Sequence, residues 1–153
     1  MNQRTTVGLV AFLALCAGIV GALYIAPPNV ESQPEYFQTY PEPRALSPFS
    51  LTSHEGEVFD NSSLEGQWSL VFVGYTFCPD VCPTTLAETT AWRAQLGLAP
   101  EDLRIIFVTV DPERDTPETV KAYVEGFDPS VIGLVGSVEE TEKTKAAFGV
   151  FSE

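Results

Sequence analysis

Two apolar runs constrain this chain more than any other feature. Ser69–Tyr75 (SLVFVGY) and Arg104–Val110 (RIIFVTV) are near-continuous and rich in β-branched and aromatic residues. Such runs suit strands covered on both faces, as in a parallel sheet. The stretch from Pro83 to Leu96 between them reads as a helix. Pro83 suits a first helical position, and Gly97 stops the helix. Strand, helix and strand in about 40 residues make a βαβ unit, whose crossover should be right-handed.

The flanks extend the pattern. Phe49–Thr52 and Glu57–Phe59 alternate apolar and polar residues, and His54–Gly56 between them reads as a hairpin turn. A second helix should begin at Pro117, with Asp115 as its cap and Glu118 three residues on. Val131–Val135 reads as a short strand. Ser137 and Glu140 then cap a third helix that runs to Phe148 and ends at Gly149. The fold class is α/β.

The first residues are of another kind. Val7 to Ala26 is a run of twenty residues without a charge. At 1.5 Å per residue it spans about 30 Å, the thickness of a bilayer core. It reads as a transmembrane signal anchor, with residues 1–6 in the cytoplasm and the rest of the chain outside. A cleaved signal peptide and a lipoprotein signal at Cys16 are the alternatives, although Leu15 is bulky for the latter. Residues 27–48 form a proline-rich linker, extended and semi-rigid. Residues 49–153 form the folded domain. With eight Lys and Arg against 21 Asp and Glu, the chain lacks the basic footprint of a nucleic-acid binder.

The chemistry lies in the segment TFCPDVCPTT, where Cys78 and Cys82 stand four apart at the junction of a buried strand and a helix. One helical turn rises about 5.4 Å, so the two face the same way. They can close a disulfide or present two thiolates to one metal ion. A helix N-terminus lowers thiol pKa through its dipole and free N–H groups. Thiolates favour Cu(I), while zinc fits less well because it wants more protein ligands. A static structural disulfide is the plainer alternative, but a bridge closing so short a loop constrains little.

TFCPDVCPTTL, followed about thirty residues later by IIFVTVDPERDTPE, resembles the Sco/SenC family. The resemblance implies a membrane-anchored, thioredoxin-like protein that handles copper for cytochrome c oxidase assembly. It implies that Cys78 and Cys82 bind Cu(I) or Cu(II), cycle with a disulfide, and serve the copper site of oxidase subunit II. The domain would then face the periplasm from the bacterial inner membrane. A metallochaperone is implied more than an enzyme. A metal-independent thiol-disulfide oxidoreductase and a non-functional fragment are the rival readings.

Three further residues are candidates for supporting the site. Asp111, after the second apolar run, should lie near the cysteines, where it can hydrogen-bond their loop, face a partner, or pair with Arg114. Asp80 between the cysteines tunes charge at the metal or faces water. Tyr75 packs near the site and can have a polar role. The family's third copper ligand is a histidine well downstream of the cysteines. The one histidine here, His54, precedes them and is expected in an exposed turn, so that role is not carried over. A closing hairpin and last helix are also missing, and the sequence reads as C-terminally truncated.

Overall fold

The computed structural model describes Leu15 and residues 42–150. The rest of the apolar run 7–26, Cys16 included, and the linker as far as residue 41 lie outside the described residues. The chain divides into the units Met1–Pro43 and Arg44–Glu153, and every strand and helix named below belongs to the second. Among the described residues no helix is long and apolar enough to cross a membrane.

Five strands form one sheet: β1 Ser50–Ser53, β2 Val58–Asp60, β3 Trp68–Gly74, β4 Leu103–Thr109 and β5 Ile132–Val135. Their order is β2-β1-β5-β4-β3. The β3, β4 and β5 strands run parallel, whereas β1 lies antiparallel to both β5 and β2. The sheet is therefore mixed, with the sequence-expected hairpin appended to a parallel core. A short 3-10 helix, Asn61–Leu64, follows β2. Three helices complete the domain: α1 Val81–Gln95, α2 Pro117–Glu125 and α3 Val138–Phe148.

Apolar contacts on both sides of β4 explain its uninterrupted hydrophobicity. Successive side chains of a strand point to opposite faces. Ile106 and Val108 join Phe49, Leu51, Phe59, Leu134 and Ala147 on one face. Ile105 and Phe107 join Leu86 of α1 with Val120 and Val124 of α2 on the other. A strand packed on both faces has no polar side to show in its sequence.

Two helix starts differ from the sequence expectation. The α1 helix begins at Val81, not Pro83, so Cys82 lies inside its first turn; Asp80 holds the cap position without a side-chain hydrogen bond. Proline is tolerated anywhere in a first turn, where its missing N–H has no partner to lose. The α2 helix is capped by Thr116, whose hydroxyl accepts from the Thr119 amide at 3.2 Å. Asp115 is not the cap. The third helix is as expected: Ser137 and Glu140 form a reciprocal capping box, and Gly149 ends the helix with φ of 71°.

One buried cation braces this frame. Arg93, 4% exposed on α1, donates to the Leu103 carbonyl at 3.2 Å, to Asp128 at 2.7 Å, and to Ser130. It thereby fastens the end of α1 to the start of β4 and to the loop entering β5.

Candidate metal centre

The cysteines stand at the carboxyl ends of the parallel strands. Gly74 and Thr109 are register partners at the ends of β3 and β4, and the Val110 amide donates to the Gly74 carbonyl at 2.8 Å. In parallel α/β sheets this end of the strands is where ligands gather. Gly74 has a specific task there. A Cβ on it would lie 3.0 Å from Cys82 Sγ and 3.2 Å from the ring edges of Phe107 and Phe72. The missing side chain lets the Cys82 sulfur rest against the strand backbone.

The two thiols occupy different environments. Cys78 is half-buried, and Cys82 is 7% exposed. The backbone amides of Asp80 and Cys82 beside Cys78 Sγ, with the Cys82 thiol and the Tyr75 hydroxyl, bring its pKa down to about 7. The Cys82 amide lies 3.5 Å from that sulfur. These amides are the free donors of the first turn of α1, which is why a helix mouth stabilises thiolate. Burial pushes the Cys82 thiol up. The Tyr75 phenol is pushed up as well, chiefly by the charge of Cys78.

The loop that carries the cysteines is anchored by a residue that sequence reasoning assigned elsewhere. Asp115 is 1% exposed. Its carboxylate accepts from the Thr76 amide at 3.0 Å, the Thr76 hydroxyl at 2.5 Å and the Thr109 hydroxyl at 2.5 Å. Its sequence spacing suits a helix cap, and nothing local marks it as buried. Asp111 does not reach the cysteine loop. It is ion-paired with Arg114, whose guanidinium covers the Phe77 ring at 5.4 Å. Asp80 is exposed, and its contribution to the sulfur is its backbone amide.

His54 corrects another expectation. Its side chain is only 7% exposed, and its Nδ1 accepts from the Gly133 amide at 2.9 Å. A turn residue becomes a latch between the β1–β2 hairpin and β5, because an imidazole nitrogen satisfies the Gly133 amide just beyond the β1–β5 pairing. Two strands, β5 and β4, separate β1 from the cysteine-bearing end of β3. His54, Glu55 and Glu125 lie within metal-binding distance of one another. Lys121 already neutralises that group, at 2.7 Å from Glu55 and 3.8 Å from Glu125.

The donor set at Cys78 and Cys82 suits copper. Two sulfurs, one already a ready thiolate at neutral pH, make a soft pair. A family model described as SCO1/SenC matches residues 38–153. This chain belongs to the SCO1/SenC family. An SCO2-like protein of Rickettsia prowazekii is 35% identical over 97% of this chain and 74% of its own length. The human mitochondrial SCO1 homolog is 35% identical over 91% of this chain and 49% of its own.

Among solved structures, copper-bound ScoI of Bradyrhizobium japonicum is 41% identical with a TM-score of 0.67, over 72% of this chain and 70% of that one. BsSco, described as having a disulfide switch and belonging to the Sco family of cytochrome c oxidase assembly proteins, is 27% identical with a TM-score of 0.59, over 71% of this chain and 66% of that one. The mixed α/β architecture is thus the thioredoxin-like fold of the Sco structures. The chain spans about half the length of the human relative it matches.

Proposed function

We propose that this Sco protein holds copper between Cys78 and Cys82 as cargo for a copper site of cytochrome c oxidase. The observation that carries the reading is the pairing of an accessible, low-pKa Cys78 with a buried Cys82 at one helix mouth. Cys78 offers a thiolate to an incoming ion at neutral pH, and Cys82 gives up its proton as the second ligand binds. Thiolate ligation releases protons in this way. Cu(I) accepts two thiolates without further protein ligands, which matches what the described residues bring together. Tyr75 and the Asp80 amide stabilise charge on the sulfurs, while Asp115 holds their loop.

The copper-bound ScoI structure and the BsSco description support both copper and the oxidase. The receiving partner is oxidase subunit II or a similar copper-receiving protein. Residues 7–26 anchor the chain in the bacterial inner membrane, and residues 27–48 hold the domain on the periplasmic side. The uncharged twenty-residue run and the proline density support that placement.

A second reading is favoured by the thiol asymmetry itself. Cys78 thiolate can attack a partner disulfide and form a mixed disulfide. Cys82 then loses its proton and attacks Cys78 Sγ, releasing the partner's second thiolate. The partner gains two electrons and the Cys78–Cys82 pair is oxidised to a disulfide.

Titration of the reduced full chain with Cu(I) against a competing chelator separates the two. One tightly held Cu(I) per chain, lost in Cys82→Ala, is expected. Rapid turnover of a disulfide substrate with no copper retained would establish the second reading instead.

A further inference from the structure

The Cys78 and Cys82 sulfurs are unequally supplied with hydrogen-bond donors. Cys78 Sγ accepts from the Cys82 amide at 3.5 Å. Cys82 is the more deeply buried of the two, and no such bond reaches its sulfur among the described residues. A neutral thiol tolerates this, being only a weak acceptor. As a thiolate, free or bound to copper, it is a buried anion in need of a donor. Buried charge in that condition is costly unless a donor reaches it.

A donor without a partner lies on the same side of the sheet. The Tyr123 hydroxyl on α2 is buried and makes no hydrogen bond. Thr141, the other such side chain among the described residues, is on α3, across the sheet. The Tyr123 ring packs against Phe107, with centroids 5.3 Å apart, and against Phe127 at 5.2 Å. Phe107 in turn shares the space over Gly74 with Cys82 Sγ: a Cβ there would lie 3.2 Å from the ring and 3.0 Å from the sulfur. Orphaned buried hydroxyls are rare in native proteins, and each calls for a reason.

We propose that Tyr123 is a positioning residue of the cysteine centre, donating its hydroxyl to Cys82 Sγ when that sulfur becomes a thiolate ligand. The hydroxyl waits unpartnered in the thiol form and gains its acceptor on loading. Hydrogen bonds to a ligating sulfur tune the metal and steady the ligand. Burial first, and then the charges of Cys82, Cys78 and Asp115, push the phenol up to about 12, so Tyr123 remains a donor throughout the neutral range. The inference rests on the reading of Cys82 as a copper ligand.

Tyr123→Phe in the full chain, in detergent, tests it. Phenylalanine keeps the ring contacts, so the variant folds, and its metal-free melting temperature should be equal or higher because an unsatisfied hydroxyl has gone. One copper should still bind, with Cu(I) affinity lowered roughly 10-fold. The Cu(II) form should show its sulfur-to-copper charge-transfer band at lower energy than wild type, since the sulfur loses a stabilising donor. Without metal, and at a pH above the Cys82 range but below that of Tyr123, the Cys78–Cys82 disulfide should be favoured about threefold more against glutathione, on the scale of a weak hydrogen bond. An unmoved charge-transfer band together with an unmoved disulfide equilibrium overturns the role of Tyr123. If wild type itself holds no copper, the copper reading fails, and the disulfide equilibrium alone decides the role of Tyr123.

Discussion

Thr76 and Asp115, 39 positions apart, are joined twice: the Thr76 amide donates to the Asp115 carboxylate at 3.0 Å and its hydroxyl at 2.5 Å. The bond fixes the first residues of the cysteine loop to the start of α2. Thr109 at the end of β4 closes the same carboxylate at 2.5 Å, so three segments meet on one buried anion. A carboxylate is needed because all three partners are donors.

Asp115→Asn keeps the shape but replaces an acceptor oxygen by an NH2 group facing donors. We expect a loss of about 2–3 kcal/mol in chemical denaturation, the scale of hydrogen bonds to a buried charge. Cu(I) affinity should fall by roughly 10–100-fold, as for groups that orient a metal ligand. Unchanged affinity in a folded Asn variant would show that the loop holds its shape without this anchor.

The thiol asymmetry has a pH signature. Cys78 is lowered to about 7 and Cys82 is raised. Alkylation of the reduced protein should therefore rise with a midpoint near pH 7 for one thiol and above the ordinary cysteine range for the other, with the first step absent in Cys78→Ser. The depressed pKa of Cys78 adds stability that is present above the unfolded cysteine value and is lost as pH falls through about 7. Cys82 acts in the opposite sense, its contribution being lost as pH rises into its own range. A single alkylation step near the ordinary cysteine pKa would remove the basis for a prepared thiolate.

Gly74→Ala places a methyl 3.0 Å from Cys82 Sγ and 3.2 Å from two ring edges. Overpacking of this kind costs about 1–3 kcal/mol. Because one of the displaced atoms is the sulfur proposed to hold copper, copper affinity should fall along with the melting temperature. A variant as stable as wild type with full copper affinity would show that Cys82 has room to retreat.

Arg93→Met separates framework from site. It leaves Asp128 and Ser130 without their buried cation. We expect a loss of about 1–3 kcal/mol, the scale of hydrogen bonds to a charged group, because the Asp128 left behind is partly open to water. The alkylation midpoint of Cys78 should stay near 7, because Arg93 sits at the opposite end of α1. A shifted midpoint would mean the two ends of the helix are coupled.

Local patterns in the chain placed most of the elements and singled out the cysteine pair. Hydrophobic runs mark β3 and β4, the Ser137–Glu140 box marks α3, and the four-residue spacing of Cys78 and Cys82 marks the candidate site. Each is a relation between near neighbours, carried by backbone periodicity and capping. The fold decided what depends on distant segments meeting. It gave the anchoring role to Asp115 rather than Asp111, and it buried His54 against Gly133. It set Gly74 beneath the Cys82 sulfur and left the Tyr123 hydroxyl without a partner. Burial and long-range hydrogen bonds have no local periodicity, so only the packed sheet and helices reveal which polar residue meets which.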